Sequence, residues 1–253
     1  MKTKLTLLSC TLITALLSGC AGDESPYSKG AGSSSSNVIS ASNFSIGLDP
    51  PNPGVLSLTP VPAPDATSVA CSTLTGVNGA TTSKIVITAA DKDNALVNSG
   101  TVYIKVQWGT LDSSQCELVN GQCSVTWNSM TNIDKLTDTS DYDCYDLSTG
   151  TLDIANSITA WTYGEESFVD NDGDNMLSDA ETYIDIEEPY LDRNDNNTFD
   201  AASDNIIDVT VVNGLHDPAS TDYNGPNCDS TTRTDCGGAA LIPIFTKISM
   251  FLD

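Results

Sequence analysis

The chain has 253 residues, with 34 acidic side chains against ten basic ones, a single histidine and a formal charge of −24. Such a surface repels nucleic acid and bare anionic lipid and attracts divalent cations. The length suits one sizeable β domain or two small ones.

Residues 1–19 read as an export leader. Lys2 and Lys4 form a basic start, and Leu5 to Leu17 is a largely apolar run too short to span a bilayer as a helix. "LSGC" at Leu17 to Cys20 resembles the lipobox of bacterial lipoproteins. That resemblance implies lipidation of Cys20 as the first mature residue. Ala21 after it, in place of Asp, implies sorting to the outer membrane, facing the surface or the periplasm. Without the leader, eight basic residues face 34 acidic ones, for −26. No second stretch is long and apolar enough to cross a membrane, so the chain is expected to be anchored rather than spanning.

Residues 20–46, rich in Ser, Gly and Asn ("GAGSSSS"), read as a flexible tether. Such a tether spans roughly 25–30 Å on average and about 90 Å when taut. "LDPPNPGVLSLTPVPAP" comes next, too rich in proline for a central strand or a helix.

From there the pattern is β. "KIVIT" (84–88) is a strand, and "TVYIKVQW" (101–108) alternates, with Val102, Ile104, Val106 and Trp108 on one face. Cys123, Val125 and Trp127 share another face, "SITAWTY" (157–163) is a further strand, and "LIPIFTKISMFL" (241–252) is the last. Short strands punctuated by Gly, Asn and Asp predict an all-β sandwich over residues 47–253.

Six cysteines lie beyond Cys20: Cys71, Cys116, Cys123, Cys144, Cys228 and Cys236. In an exported chain they suggest three disulfides, with about fifteen connectivities open. Short separations favour Cys116 with Cys123 and Cys228 with Cys236, leaving Cys71 with Cys144. "CELVNGQC" carries the Asn120-Gly121 hairpin signal. A strict two-residue hairpin would hold the α-carbons of Cys116 and Cys123 roughly 7–8 Å apart, so a disulfide there calls for a bulge or a wider loop.

Between Glu165 and Asp204, fourteen acidic residues face one basic residue, Arg193. Apolar residues spaced through the run, among them Phe168, Leu177, Tyr183, Tyr190 and Phe199, argue against plain disorder. Asp170, Asp172 and Asp174 hold the first, third and fifth places of a twelve-residue loop. Met176 would offer its carbonyl, Ser178 a water-mediated contact, and Glu181 a closing bidentate carboxylate. Leu177 falls where such loops point an apolar residue inward, and Asn175 stands at the usual glycine place. The stretch resembles an EF-hand or dockerin-like calcium loop. A weaker copy starts 22 residues on with Asp192, Asn194 and Asn196, continues through Thr198 and Asp200, and closes on Asp204 if it carries one extra residue. Neither loop has long flanking helices, so the ions (Ca2+) are expected to be structural.

"CELVNGQCSVTWNS", "ITAWTYGEESFVDNDGDN", "EPYLDRNDNNTFD" and "YNGPNC" together resemble bacterial exported Ig-like proteins. That resemblance implies an Ig-like β-sandwich with a calcium-binding insertion at about 165–240, closed by a disulfide before the last strand. Many such proteins are surface arrays, whereas this chain carries one apparent unit. The expected role is non-catalytic adhesion, binding or scaffolding in the cell envelope, with an unknown protein or glycan as ligand. A polysaccharide-acting hydrolase and an accessory subunit of an envelope complex are the alternatives. No GxSxG, HExxH or phosphate loop is present, and His216 reads as a surface loop residue.

Overall fold

Two four-stranded antiparallel sheets face one another. In the first, β1 (Phe44–Asp49), β3 (Thr82–Ala89), β7 (Gln122–Asn128) and β5 (Thr110–Leu111) lie side by side in that order. In the second the order is β16 (Ile242–Phe251), β9 (Ala155–Gly164), β4 (Thr101–Val106) and β6 (Gln115–Glu117). The structure is a computed structural model that describes residues 37–51, 53, 68–70, 81–129, 143–146, 155–209 and 211–251. Among these no helix is long and apolar enough to cross a membrane. A separate pair, β2 (Ser68–Ala70) and β8 (Asp143–Asp146), is antiparallel.

The alternation seen in the sequence sets which side of each strand faces inward. Ile85, Ile87, Val102, Ile104, Val125, Trp127, Ile158, Ala160, Ile244 and Met250 form a core drawn from both sheets. Trp108 and Trp127 meet at its centre, with ring centroids 5.6 Å apart, and the Trp127 indole N–H donates to the Trp108 carbonyl at 2.7 Å. Gly109 is required beside them. It has φ +85, and a Cβ there would strike the Trp127 ring.

The orders β1-β3-β7-β5 and β16-β9-β4 are those of the ABED and GFC sheets of an immunoglobulin-type sandwich. One departure is local: β5 reaches the first sheet before β6 joins the second. Proline fits the edges of this plan. β1 ends at Asp49 before Pro50, and Pro243 lies in β16, which pairs only with β9. The folded region begins earlier than the tether boundary at 46 expected from composition. Ile39 and Phe44 are buried in the core, and Ser40 bridges Glu165. Small residues at 40–43 hid this, because their contacts are made by backbone. The expectations for the leader and Cys20 concern residues outside the described ones.

The Asn120-Gly121 turn is tight, as the sequence signals. Both residues have positive φ, and Val119 and Gln122 exchange backbone hydrogen bonds at 2.9 and 3.2 Å. There is no bulge or wider loop. The two strands part at once, β6 pairing with β4 and β7 with β3. Cys116 and Cys123 therefore lie on different sheets, 5.8 Å apart at Cα, and their disulfide ties the sheets together. Cys228 and Cys236 are also bonded. The expected Cys71–Cys144 pairing involves Cys71, which lies outside the described residues.

Closing a loop this short constrains the unfolded chain by about 2–3 kcal/mol. Replacing Cys116 and Cys123 together by serine should lower the free energy of unfolding in denaturant by about that amount. A change below about 0.5 kcal/mol would show that the sheets hold together without the bond.

Candidate metal centre

The described residues between Gly164 and Ile242 lie outside the two sheets, and the stretch around Tyr190 to Ile206 packs on the outer face of the second. Thr159 on β9 donates to the Tyr190 carbonyl at 2.7 Å, Lys105 on β4 donates to the Ile206 carbonyl at 3.3 Å, and the Tyr190 ring packs against Phe245 of β16. The covering layer is two copies of one unit. In the first, β10 (Ser167–Phe168) pairs with β11 (Tyr183–Ile184), and in the second β12 (Tyr190–Leu191) pairs with β13 (Asn205–Ile206). An acidic loop joins the strands of each pair. A parallel bridge of β14 (Tyr223–Asn224) with β15 (Cys236–Gly238) completes the layer.

In the first loop, ligand atoms of Asp170, Asp172 and Asp174 all lie within 4.8 Å of one another, the one such carboxylate trio among the described residues. All three side chains are exposed. The loop is shaped by its own amides. Asp170 accepts from the N–H groups of Gly173 (2.6 Å) and Asn175 (3.0 Å), Asp172 from Asp174 (3.1 Å), and Asp174 from Met176 (2.7 Å). Glu181 reaches back to accept from Asn171 (2.6 Å) and Ser178 (2.8 Å), and the Ser178 N–H chiefly holds its carboxyl below the ordinary range. Asn175 adopts φ +66, the left-handed turn that its place in the loop demands. Leu177 is fully buried and bonds in a ladder to the Asn227–Asp229 stretch. Arg233 ties the loop's end, donating to the Ser178 and Glu181 carbonyls at 2.8 and 2.9 Å.

The second loop repeats this wiring. Asn197 N–H donates to Asp192 (2.8 Å) and Thr198 N–H to Asn196 (2.8 Å), and Asn197 has φ +63. Asp204 accepts from Arg193 N–H (2.9 Å) and Asp200 N–H (2.8 Å), as Glu181 does from Asn171 and Ser178. Asp204 is thus the counterpart of Glu181, with one extra residue between.

The chemistry differs, however. The Asn194 and Asn196 amides turn their nitrogens onto Asp200, at 3.0 and 2.6 Å, and hold its carboxyl below the ordinary range. Lys247 of β16 places its ammonium 2.9 Å from Asp192 Oδ2, 2.7 Å from the Tyr190 hydroxyl and 4.0 Å above the Tyr190 ring. The oxygens expected from Asp192, Asn194, Asn196 and Asp200 are engaged with donors of the chain itself. Their spacing is that of ligands, but a protein cation already serves the first position.

Composition cannot separate ligands from carboxylates that brace backbone. Glu166 accepts from the N–H groups of Ile186 (2.8 Å) and Asn224 (2.6 Å), and its repeat partner Glu188 from Val209 (2.7 Å) and Asp217 (3.2 Å). Both are buried. The signal was present in the sequence, because the 22-residue repeat extends back to the Glu165-Glu166 and Glu187-Glu188 pairs. Burial pushes Glu165 and Glu166 up to about 7. Neither has surface through which a substrate could reach it.

His216 is not the surface residue its loop suggested. Its side chain is 9% exposed and stacks on Phe199 at 3.9 Å, with Tyr190 edge-on. Trp161 stacks on Tyr103 at 5.5 Å on the outer face of the second sheet.

No family model, no curated protein and no solved structure matches this chain.

Because an ammonium and a metal ion compete for Asp192, Lys247→Met should open the second loop to calcium. Calorimetric titration is expected to show one more calcium equivalent in that variant than in the parent chain. Equal stoichiometry would mean that the lysine does not block the loop.

Proposed function

We propose that this chain is a non-catalytic, lipid-anchored module of the bacterial cell envelope whose acidic insertion is ordered by calcium, and that it serves adhesion, binding or scaffolding. The observation that carries the calcium reading is the first loop. Asp170, Asp172 and Asp174 converge there, with Glu181 braced to close the shell. Hard divalent ions with flexible oxygen coordination suit such a donor set, and a −26 mature chain needs one to relieve self-repulsion. Cys20 is the anchor in this reading, and the sandwich the rigid body that presents the insertion. The exposed apolar tip of Val211, Val212 and Leu215, exposed by 59%, 84% and 68%, supports a binding role. A protein or glycan is the expected ligand.

Titration of the chelator-stripped chain should show calcium binding that Asp170→Ala with Glu181→Ala removes; an unmutated chain that takes up no calcium refutes the reading. At a free concentration roughly a hundredfold above the dissociation constant, binding adds about 2.7 kcal/mol, so chelation should lower the melting temperature by about 5–10 °C. Acid should act in the same direction. Glu181 is held below its ordinary value of 4.5, so its contribution is present above that pH and fades as pH falls through the lowered value. A melting temperature indifferent to chelator would count against a structural ion. For the anchor, Cys20→Ala should move the protein from the membrane to the soluble fraction.

A further inference from the structure

Two cavities lie side by side where the insertion meets β16, and no residue of either acidic loop lines them. The larger, of about 380 Å³, has apolar walls from Ala41, Ile184, Ile186, Ala219 and Phe245. The smaller, of about 210 Å³, is lined by Glu187, Glu188, Asp217, Ser220 and Asn224 beside Pro243. Ile186 and Glu187 belong to both. On β16 the step from one cavity to the other, Phe245 to Pro243, is two residues, roughly 6.5–7 Å along a strand. Alternate side chains of an extended peptide have that same spacing and point the same way.

Charge decides what suits the smaller cavity. No Lys or Arg lines either one. Most carboxylates nearby already serve backbone. Asp185 accepts from the N–H groups of Ser220 (3.2 Å) and Thr221 (2.5 Å), and Glu188 from those of Val209 (2.7 Å) and Asp217 (3.2 Å). Two oxygen donors are left over. Asp217 Oδ2 is buried with no hydrogen-bond partner. Glu187, its side chain 35% exposed, has His216 Nε2 at 3.7 Å, an ion pair only when that ring is protonated. A buried carboxylate oxygen without a donor is costly. An ammonium or guanidinium brings several N–H groups, and its charge strengthens each bond to a carboxylate.

We propose that these cavities are adjoining side-chain pockets for an extended peptide of a partner protein. The larger takes an aliphatic side chain, and the smaller a lysine or arginine two residues away. This inference rests on the binding role proposed above and names the partner's chemistry; it does not depend on calcium. The −24 charge of the chain draws basic segments in. The two pockets then select among them. A basic residue alone leaves the apolar walls uncovered, and an aliphatic one alone leaves Asp217 Oδ2 without a donor.

Nuclear magnetic resonance of the full chain with acetyl-Leu-Ser-Lys-amide and its reverse, acetyl-Lys-Ser-Leu-amide, tests this. At least one of them is expected to move the amide signals of Ile184, Ile186, Glu187 and Asp217 at roughly millimolar peptide. The same peptide with glutamate in place of lysine should leave those signals still. Glu187→Gln and Asp217→Asn should each raise the dissociation constant about tenfold or more. No shift at those residues with either peptide overturns the proposal, as does equal binding of the glutamate peptide. Unchanged affinity in Glu187→Gln does the same. That side chain is partly exposed, so this variant decides alone if Asp217→Asn fails to fold. Shifts confined to the tip of Val211, Val212 and Leu215 would overturn this site and leave the binding role intact.

Discussion

The backbone of the acidic insertion is shaped by one interaction repeated many times: a carboxylate that accepts hydrogen bonds from backbone N–H groups. Among its described residues, the insertion between β9 and β16 has little regular ladder, three strand pairs with short elements. Its amides need other acceptors, because unsatisfied buried amides are costly. Asp170, Glu166, Glu181, Glu188 and Asp204 each accept at least two. The negative charge that looks like a liability in the composition therefore serves as the acceptor inventory of the fold. Accepting amides also spreads each carboxylate's charge, which lets neighbours approach within a few ångström.

The two parts of the molecule divide the labour. The sandwich supplies rigidity through a core shared by two sheets and a disulfide between them. The insertion carries the acidic loops, and it is held to the second sheet by groups that point away from the core: Thr159, Lys105, Phe245 and Lys247. These are the outward positions of β9, β4 and β16. The alternation that builds the core on one face thus also sets the docking surface on the other.

Much of this was legible in the sequence. Period-two alternation placed Val102, Ile104, Trp108, Val125 and Trp127 inward, because one face of each strand must be dry. The alternate-residue spacing of Asp170, Asp172 and Asp174 foretold their convergence, and the one-residue shift that equates Glu181 with Asp204 matches the hydrogen bonds of both. What escaped was long-range. That β6 and β7 diverge after an ideal hairpin turn depends on β4, not on the turn. Lys247 reaches Asp192 from 55 positions away in sequence, and nothing local marks it as the cation that sets the second loop apart. Glu166 and Glu188 read as more acidity, because composition counts charge but not what it accepts.

The central claim is that the first loop gathers its carboxylates around a divalent ion. Crystals of the chain grown in calcium, with anomalous scattering collected at long wavelength, test it most directly. The account predicts a peak inside the 170–181 loop, bounded by six or more oxygens at roughly 2.3–2.6 Å, with both Glu181 oxygens among them. A loop of the same shape with no peak, its aspartates turned to solvent, would contradict it.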